Sequence, residues 1–251
     1  SATVRANVVL ATNGTALNQS LTYAGQTLRV QFTGTAGKDW VLNTSGLVLS
    51  GSGPYLSYTI KKPDGSNLTS SICYPSGSYC SMQSYSLPVT GTYTIEYVPY
   101  PGSTGTFTVK SWESSRVTGA LTIGTSSAYT STVPGQIVQY TFSGTAGQQL
   151  GLAFSSFTTS VAGATLYAVV LKPDSAVLSS TTFTSASTAT TPAVLDLPVL
   201  PSTGTYTVQV YPYPYAYNSS PTTTFSGQVL LTQDIAATLA TNGTPTNITI
   251  A

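Results

Sequence analysis

Histidine is absent from this 251-residue chain and charge is scarce, with eight Lys/Arg and seven Asp/Glu making 6% of the residues, against about 25% in an ordinary soluble domain. Without histidine no Ser-His-Asp or Cys-His arrangement can be assembled. A zinc site would need ligands beyond the two cysteines. The net charge is +1 and the basic residues are spread singly apart from Lys61-Lys62, which excludes the electrostatic stripe that holds nucleic acid or an anionic membrane surface. Long apolar runs are missing as well. Tyr167 to Leu171 is typical of the longest and falls far short of the roughly 20 residues a membrane helix needs, so no membrane insertion is expected. No signal-peptide pattern opens the chain at Ser1. Neither an Asp-rich calcium loop, a phosphate-cradling glycine loop nor a dinucleotide fingerprint occurs, so neither cofactor nor metal is expected.

What is present is a hydroxyl-rich surface composition: 78 Ser and Thr and 17 Tyr, beside a 41% hydrophobic fraction large enough to fill a core. The two cysteines lie in "CYPSGSYC", and Cys73 and Cys80 around a Pro-Ser-Gly turn read as a hairpin disulfide. Closing a ring of eight residues is worth about 2.5 kcal/mol by loop entropy, and such bonds persist mainly outside a reducing cytosol. Seven of the eight asparagines begin Asn-X-Ser/Thr: Asn13, Asn18, Asn43, Asn67, Asn218, Asn242 and Asn247. Chance would give roughly two or three, so N-glycosylation of an extracellular, cell-surface chain is expected at these positions. Asn-Gly turn chemistry is the rival explanation for Asn13 and Asn242 only.

The sequence repeats itself. "GQTLRVQFTGTAGKDW" from Gly25 aligns with "GQIVQYTFSGTAGQQL" from Gly135, and "KPDGSNL" at Lys62 with "KPDSAVL" at Lys172, both at an offset of 110. "GTYTIEYVPYP" at Gly91 meets "GTYTVQVYPYP" at Gly204 at an offset of 113. The hexapeptide "LATNGT" stands at Leu10 to Thr15 and returns at Leu239 to Thr244, with "LTIGT" at Leu121 between them. These registers divide the chain into residues 1–5 as the end of a preceding module, 6–117 as module one, 118–235 as module two, and 236–251 as the opening strand of a third module or a donor strand.

Period-two alternation in "TLRVQFT", "YLSYTIK", "TYTIEYV" and their counterparts predicts strands, and nothing in the chain has helical periodicity. The expected fold class is all-β: two tandem antiparallel β-sandwich modules, Ig-like or jelly-roll-like, of seven to nine strands each, plus the first strand of a third. Whether Tyr93, Ile95 and Tyr97 or the alternate set faces inward is left open by the pattern. The tyrosine of "GTYT", Tyr93 and Tyr206, resembles a tyrosine corner.

The order G-Q-x5-F-[TS]-G-T-A-G, then K-P-D, then L-P-x-x-G-T-Y-T resembles the tandem extracellular β-sandwich modules of microbial surface proteins, related in style to pre-peptidase C-terminal domains. The resemblance covers nearly the whole chain. It implies non-catalytic spacer or adhesion units.

Chemistry finds little purchase. Asp64 and Asp174 sit in matching Pro-Asp turns, and Glu96 has Gln209 as its counterpart, so no carboxylate is a candidate catalytic acid across the repeat and no enzyme activity is expected. Trp40, Trp112, Tyr97, Tyr100 and the run Tyr211, Tyr213, Tyr215 and Tyr217 could offer flat faces to pyranose rings of surface glycans. Leu150 and an aliphatic position near Leu230 to Leu231 replace the two tryptophans in the second copy, which favours a core role for them. The leading expectation is a structural subunit or repeat segment of an N-glycosylated filament, stalk or surface layer, partnered by copies of itself or by neighbouring repeats. Leu239, Ile248 and Ile250 would then be the residues of a donated strand. A carbohydrate-binding or adhesin module is the alternative.

Overall fold

The computed structural model of the chain describes residues 8–51, 53–75, 80–184, 192–213 and 223–234. Among these residues nine strands fill the first repeat: β1 (Val8–Val9), β2 (Leu17–Leu21), β3 (Leu28–Gly34), β4 (Asp39–Leu49), β5 (Leu56–Lys61), β6 (Asn67–Cys73), β7 (Cys80–Ser86), β8 (Gly91–Pro99) and β9 (Gly105–Ser114). Nine more follow in the second: β10 (Val117–Ala120), β11 (Ser126–Thr130), β12 (Val138–Gly144), β13 (Leu150–Thr159), β14 (Thr165–Leu171), β15 (Val177–Thr184), β16 (Ala193–Asp196), β17 (Gly204–Pro212) and β18 (Phe225–Gln233). The sheet orders are β1-β3-β8-β5-β6 and β2-β9-β4-β7 in the first repeat, and β10-β12-β17-β14-β15 and β11-β18-β13-β16 in the second. Each strand of one repeat has a counterpart in the other at the same place, so the sequence repeat is a repeat of topology. The fold class is all-β, with each repeat a two-sheet sandwich.

Alternation decides which side chains fill the space between the sheets. On β8, Tyr93, Ile95 and Tyr97 are fully buried, which settles the open question of its inward row. On β17, Tyr206 and Val208 are likewise fully buried. Trp40 is fully buried and stacks on Phe32 with centroids 4.1 Å apart, while Phe32 stacks on Tyr93 at 5.1 Å. Leu150 takes the place of Trp40 in the second core, where Phe142 and Tyr206 stack at 5.3 Å. The expected tyrosine corners are present. Tyr93 donates its hydroxyl to the Val89 carbonyl at 2.7 Å, and Tyr206 donates to the Ser202 carbonyl at 2.7 Å, tying strand to preceding loop in both repeats.

Three features differ from the sequence reading. First, the sandwiches are not purely antiparallel: β1 runs parallel to β3 and β10 parallel to β12. The opening strand lies in one sheet and the next strand in the other, and that crossover supplies the connection a parallel pair requires. Second, the Cys73–Cys80 bond is formed, but it is not a rung within a hairpin. Cys73 ends β6 at the edge of the five-stranded sheet and Cys80 begins β7 at the edge of the four-stranded one, so the bond staples the two sheets together. Third, Trp112 is not a core residue. It is half-buried, lying against Gly14 of the opening hexapeptide.

The two repeats share a β-bulge as well. Pairing slips between Ser45 and Val48 on β4 and between Ser155 and Thr158 on β13, with Gly46 at φ 60° and Ser156 at φ 52° in the bulged positions. Residue types differ there while the backbone path is kept.

Candidate functional site

The opening hexapeptide is the first place where sequence and structure converge. Leu10 donates its amide to the Gln31 carbonyl at 2.7 Å, beside β3, and its side chain is 2% exposed within the first core. Two residues on, Thr12 accepts from the Glu113 amide at 3.0 Å, and Gly14 donates to the Ser111 carbonyl at 2.8 Å, both on β9 of the opposite sheet. The segment therefore crosses the mouth of the sandwich and bonds to both sheets. Leu121 and Gly124 repeat this, donating to Thr141 at 2.8 Å and Leu231 at 2.9 Å. The third copy, with Leu239 and Asn242, lies outside the described residues, as do Ile248 and Ile250 of the expected donor strand.

Between the repeats, Arg116 makes contacts that the sequence reading missed. Its Nε donates to Asp39 Oδ2 at 2.9 Å and its Nη2 to Oδ1 at 3.2 Å. The Asp39 side chain is 1% exposed. On the other side, Nη1 of Arg116 donates to Gln139 Oε1 at 2.8 Å, an oxygen that also accepts from Gln209 Nε2 at 3.1 Å. One guanidinium thus joins β4 of the first repeat to β12 of the second. A signal was available: Arg5 stands five residues before Leu10, as Arg116 stands five before Leu121.

Four of the remaining carboxylates serve local structure. Asp64 Oδ1 accepts from the Ser66 amide at 2.9 Å and Asp174 Oδ1 from the Ala176 amide at 3.0 Å, as the matching Pro-Asp turns predict. Hydrogen bonds from Ser66 hold Asp64 below the usual carboxylate range, and the Ala176 amide does the same for Asp174. Glu96 lies between Lys61 at 2.7 Å and Arg29 at 2.8 Å, and its acidity is raised first by the Lys61 contact. Glu113 accepts from the Thr35 amide at 2.9 Å. Among the described residues no three metal-ligating side chains cluster.

The aromatic candidates divide sharply. Trp40 and Tyr97 are buried, so neither is a surface platform; Tyr97 shares a hydrogen bond of 3.0 Å with Thr44, and burial pushes its hydroxyl well above the ordinary tyrosine range. Tyr100 is 39% exposed and meets Tyr55 edge-on at 5.2 Å, and Tyr55 meets Tyr74 at 6.2 Å; Tyr74 is 54% exposed. In the second repeat, Tyr167 contacts Tyr211 at 5.4 Å and Tyr213 at 5.7 Å, all three half-buried. Tyr215 and Tyr217 lie outside the described residues. Sequence reasoning missed Tyr55, Tyr74 and Tyr167, which approach the Tyr-Pro segments only through strand pairing.

Of the expected glycan acceptors, Asn13, Asn18 and Asn67 are exposed. Asn43 is corrected: it is 5% exposed on β4, and a glycan there would force a packed side chain out of the sheet. Asn218, Asn242 and Asn247 lie outside the described residues. Separately, a recess of about 320 Å³ beside the β13 bulge is lined by Ser and Thr hydroxyls, and its one aromatic, Phe225, is 3% exposed.

No protein-family model matches the chain and no curated protein matches it. The likeness to pre-peptidase C-terminal domains therefore rests on turn and strand motifs alone. Solved structures similar to the chain include the CUB1-EGF-CUB2 domain of human MASP-1/3, at 9% identity and a TM-score of 0.26, covering 88% of this chain and 100% of that one. The tandem CBM22-1-CBM22-2 domain of Paenibacillus barcinonensis Xyn10C shares 11% identity at a TM-score of 0.25, covering 87% of each chain. The insecticidal delta-endotoxin Cry8Ea1 of Bacillus thuringiensis shares 9% identity at a TM-score of 0.30, covering 91% of this chain and 55% of that one. Overlap this small carries no argument about what the chain does.

Proposed function

We propose that the chain is a non-catalytic structural subunit or repeat segment of an extracellular filament, stalk or surface layer, in which β-sandwich modules follow one another head to tail. The observation that carries this reading is the path of the hexapeptide. In both described sandwiches the segment at Leu10 and at Leu121 bonds to the two sheets and buries its leucine in the core. A third copy at Leu239 to Thr244 has the same leucine to bury and the same Asn-Gly turn to place. Its home is the mouth of a further sandwich, supplied either by the continuing chain or by a neighbouring copy through strand complementation.

The disulfide, the exposed sequons Asn13, Asn18 and Asn67 and the scarcity of charge support an extracellular setting. Electron microscopy of the native material tests the proposal, with fibres or ordered layers expected. A monodisperse particle the size of one chain, with no higher assembly, sinks it. The denatured mass then separates the two forms: near 26.0 kDa plus glycans for a strand-donating subunit, far larger for a covalent array.

A further inference from the structure

Each sandwich carries three touching tyrosines at the same corner. The backbone fixes the equivalence: the Tyr100 amide donates to the Tyr55 carbonyl at 2.8 Å, and the Tyr213 amide donates to the Thr165 carbonyl at 2.8 Å, just beyond β8 and β17. The other two rings come from different positions in the two repeats. Tyr55 corresponds to Thr165 and Tyr74 follows β6, whereas Tyr167 corresponds to Ser57 and Tyr211 to Val98. Core packing does not demand this, because the core at that corner is filled by Leu56 and Leu166, both fully buried. A requirement of folding would hold all three rings in place. Here only Tyr100 and Tyr213 keep a common position, the other two rings change, and a partly exposed three-ring cluster stays.

The surroundings define what such a cluster takes. Gly51 to Ser57, Cys73 to Pro75 and Val98 to Thr104 contain no charged residue, and neither do Thr165 to Leu171 and Val208 to Tyr213. Edge-to-face tyrosines combine apolar ring faces with phenolic hydroxyls that both donate and accept. A pyranose has the complementary make-up, a face of C–H groups with a rim of hydroxyls. An anionic ligand would find no cation in these segments. We infer that the two clusters, Tyr55–Tyr74–Tyr100 and Tyr167–Tyr211–Tyr213, are equivalent binding sites for neutral polysaccharide, one per module. Two sites on one chain engage one polymer together, which raises avidity by on the order of a hundredfold over a single site. The inference is independent of the filament reading, since it concerns a surface patch and not the hexapeptide.

The test is affinity electrophoresis of the whole chain in gels containing laminarin, xylan, mannan or dextran, with alginate as the anionic control. Retardation is expected in at least one neutral gel and not in alginate. The pair Tyr74→Ala/Tyr100→Ala and the pair Tyr167→Ala/Tyr213→Ala should each weaken retardation at least tenfold by removing bivalent engagement, and the four together should abolish it. Thermal unfolding of each variant, read by circular dichroism, separates lost binding from lost fold. The inference is overturned by the absence of retardation in every neutral gel, by retardation in alginate alone, or by retardation that persists in a folded quadruple variant. Tyrosine-dependent dimerisation in size-exclusion runs without polysaccharide binding would assign the patches to self-contact instead and overturn it too. Fibre formation by the quadruple variant is read separately and bears only on the filament proposal.

Discussion

Asp39 and Arg116 form a two-pronged ion pair, at 2.9 and 3.2 Å, with the carboxylate 1% exposed and the guanidinium 31% exposed, at the point where one sandwich ends and the next begins. The third arm of the guanidinium reaches Gln139 of the second sandwich, so the pair does two jobs. It neutralises a buried charge in the first module and it holds the second in a fixed relation to it.

Arg116→Ala should therefore cost about 3 kcal/mol, because it leaves a buried carboxylate without its cation. Asp39→Asn should cost less, since the partly exposed arginine keeps water as a substitute partner. The double variant should recover part of the loss, which urea unfolding of the four chains would measure as a coupling energy. Small-angle scattering should also show a broader range of dimensions for Arg116→Ala. Unchanged stability in that variant would mean that Asp39 finds another donor.

The disulfide and Phe183 occupy corresponding places. Cys73 pairs across from Leu56 as Phe183 pairs across from Leu166. In the second repeat Phe183 stacks on Phe154 at 4.9 Å and meets Phe157 edge-on at 5.2 Å, so ring packing joins the sheets where the first repeat uses a covalent bond. Reduction, or replacement of both cysteines by alanine, should lower the stability of the first module by about 2.5 kcal/mol and leave the second unchanged. Phe183→Ala should cost the second module about 3–5 kcal/mol and leave the first unchanged. Amide exchange resolved by segment would show the two losses in separate halves of the chain.

Acidity offers a test without mutation. Asp64, Asp174 and Glu96 all have folded-state values below their ordinary ones. A depressed carboxylate stabilises the fold above its unfolded value and loses that contribution as pH falls through its folded value. Stability should fall only below about pH 4.5, where the unfolded carboxylates begin to take up protons first. With no histidine in the chain, it should be nearly flat from about pH 5.5 to 7.5. Glu96→Gln should flatten part of the acid limb in denaturant midpoints read against pH. A midpoint that shifts near pH 6.5 would contradict this account.

Strands, repeat, Pro-Asp turns and tyrosine corners were legible in the sequence because each is written in local spacing: alternation, a turn residue, a tyrosine at a fixed place after Gly-Thr. The sheet to which a strand belongs is not local. "CYPSGSYC" looks the same whether its flanking strands pair with each other or leave for different sheets, and only the pairing of β6 with β5 and β7 with β4 decides it. The same holds for Tyr55, Tyr74 and Tyr100, whose 5.2 and 6.2 Å contacts are created by neighbouring strand ends far apart in sequence. Arg116 was missed for a different reason: its spacing from Leu121 is matched by Arg5 before Leu10, but that spacing does not say which carboxylate the charge meets.

The hexapeptide gives the last prediction, and a contrast within one chain. Gly14 and Gly124 hold the same turn, at φ 87° and 77°, in the left-handed region where a side chain is strained. Their surroundings differ. A Cβ on Gly14 would lie 2.4 Å from Nε1 of Trp112, whereas one on Gly124 would meet nothing within 4 Å. Gly124→Ala should cost only the backbone strain, about 1 kcal/mol. Gly14→Ala must in addition displace the indole that covers the turn, and should cost the first module about 2–3 kcal/mol in all. Trp112→Ala should relieve the clash, so the double variant Gly14→Ala/Trp112→Ala should lose less than the sum of the two single changes. Indole fluorescence would follow this directly, since Trp40 is buried in both states and Trp112 alone should move toward solvent in Gly14→Ala. Equal losses at Gly14 and Gly124 would show that the turn itself, and not its tryptophan cover, sets the stability of the module's mouth.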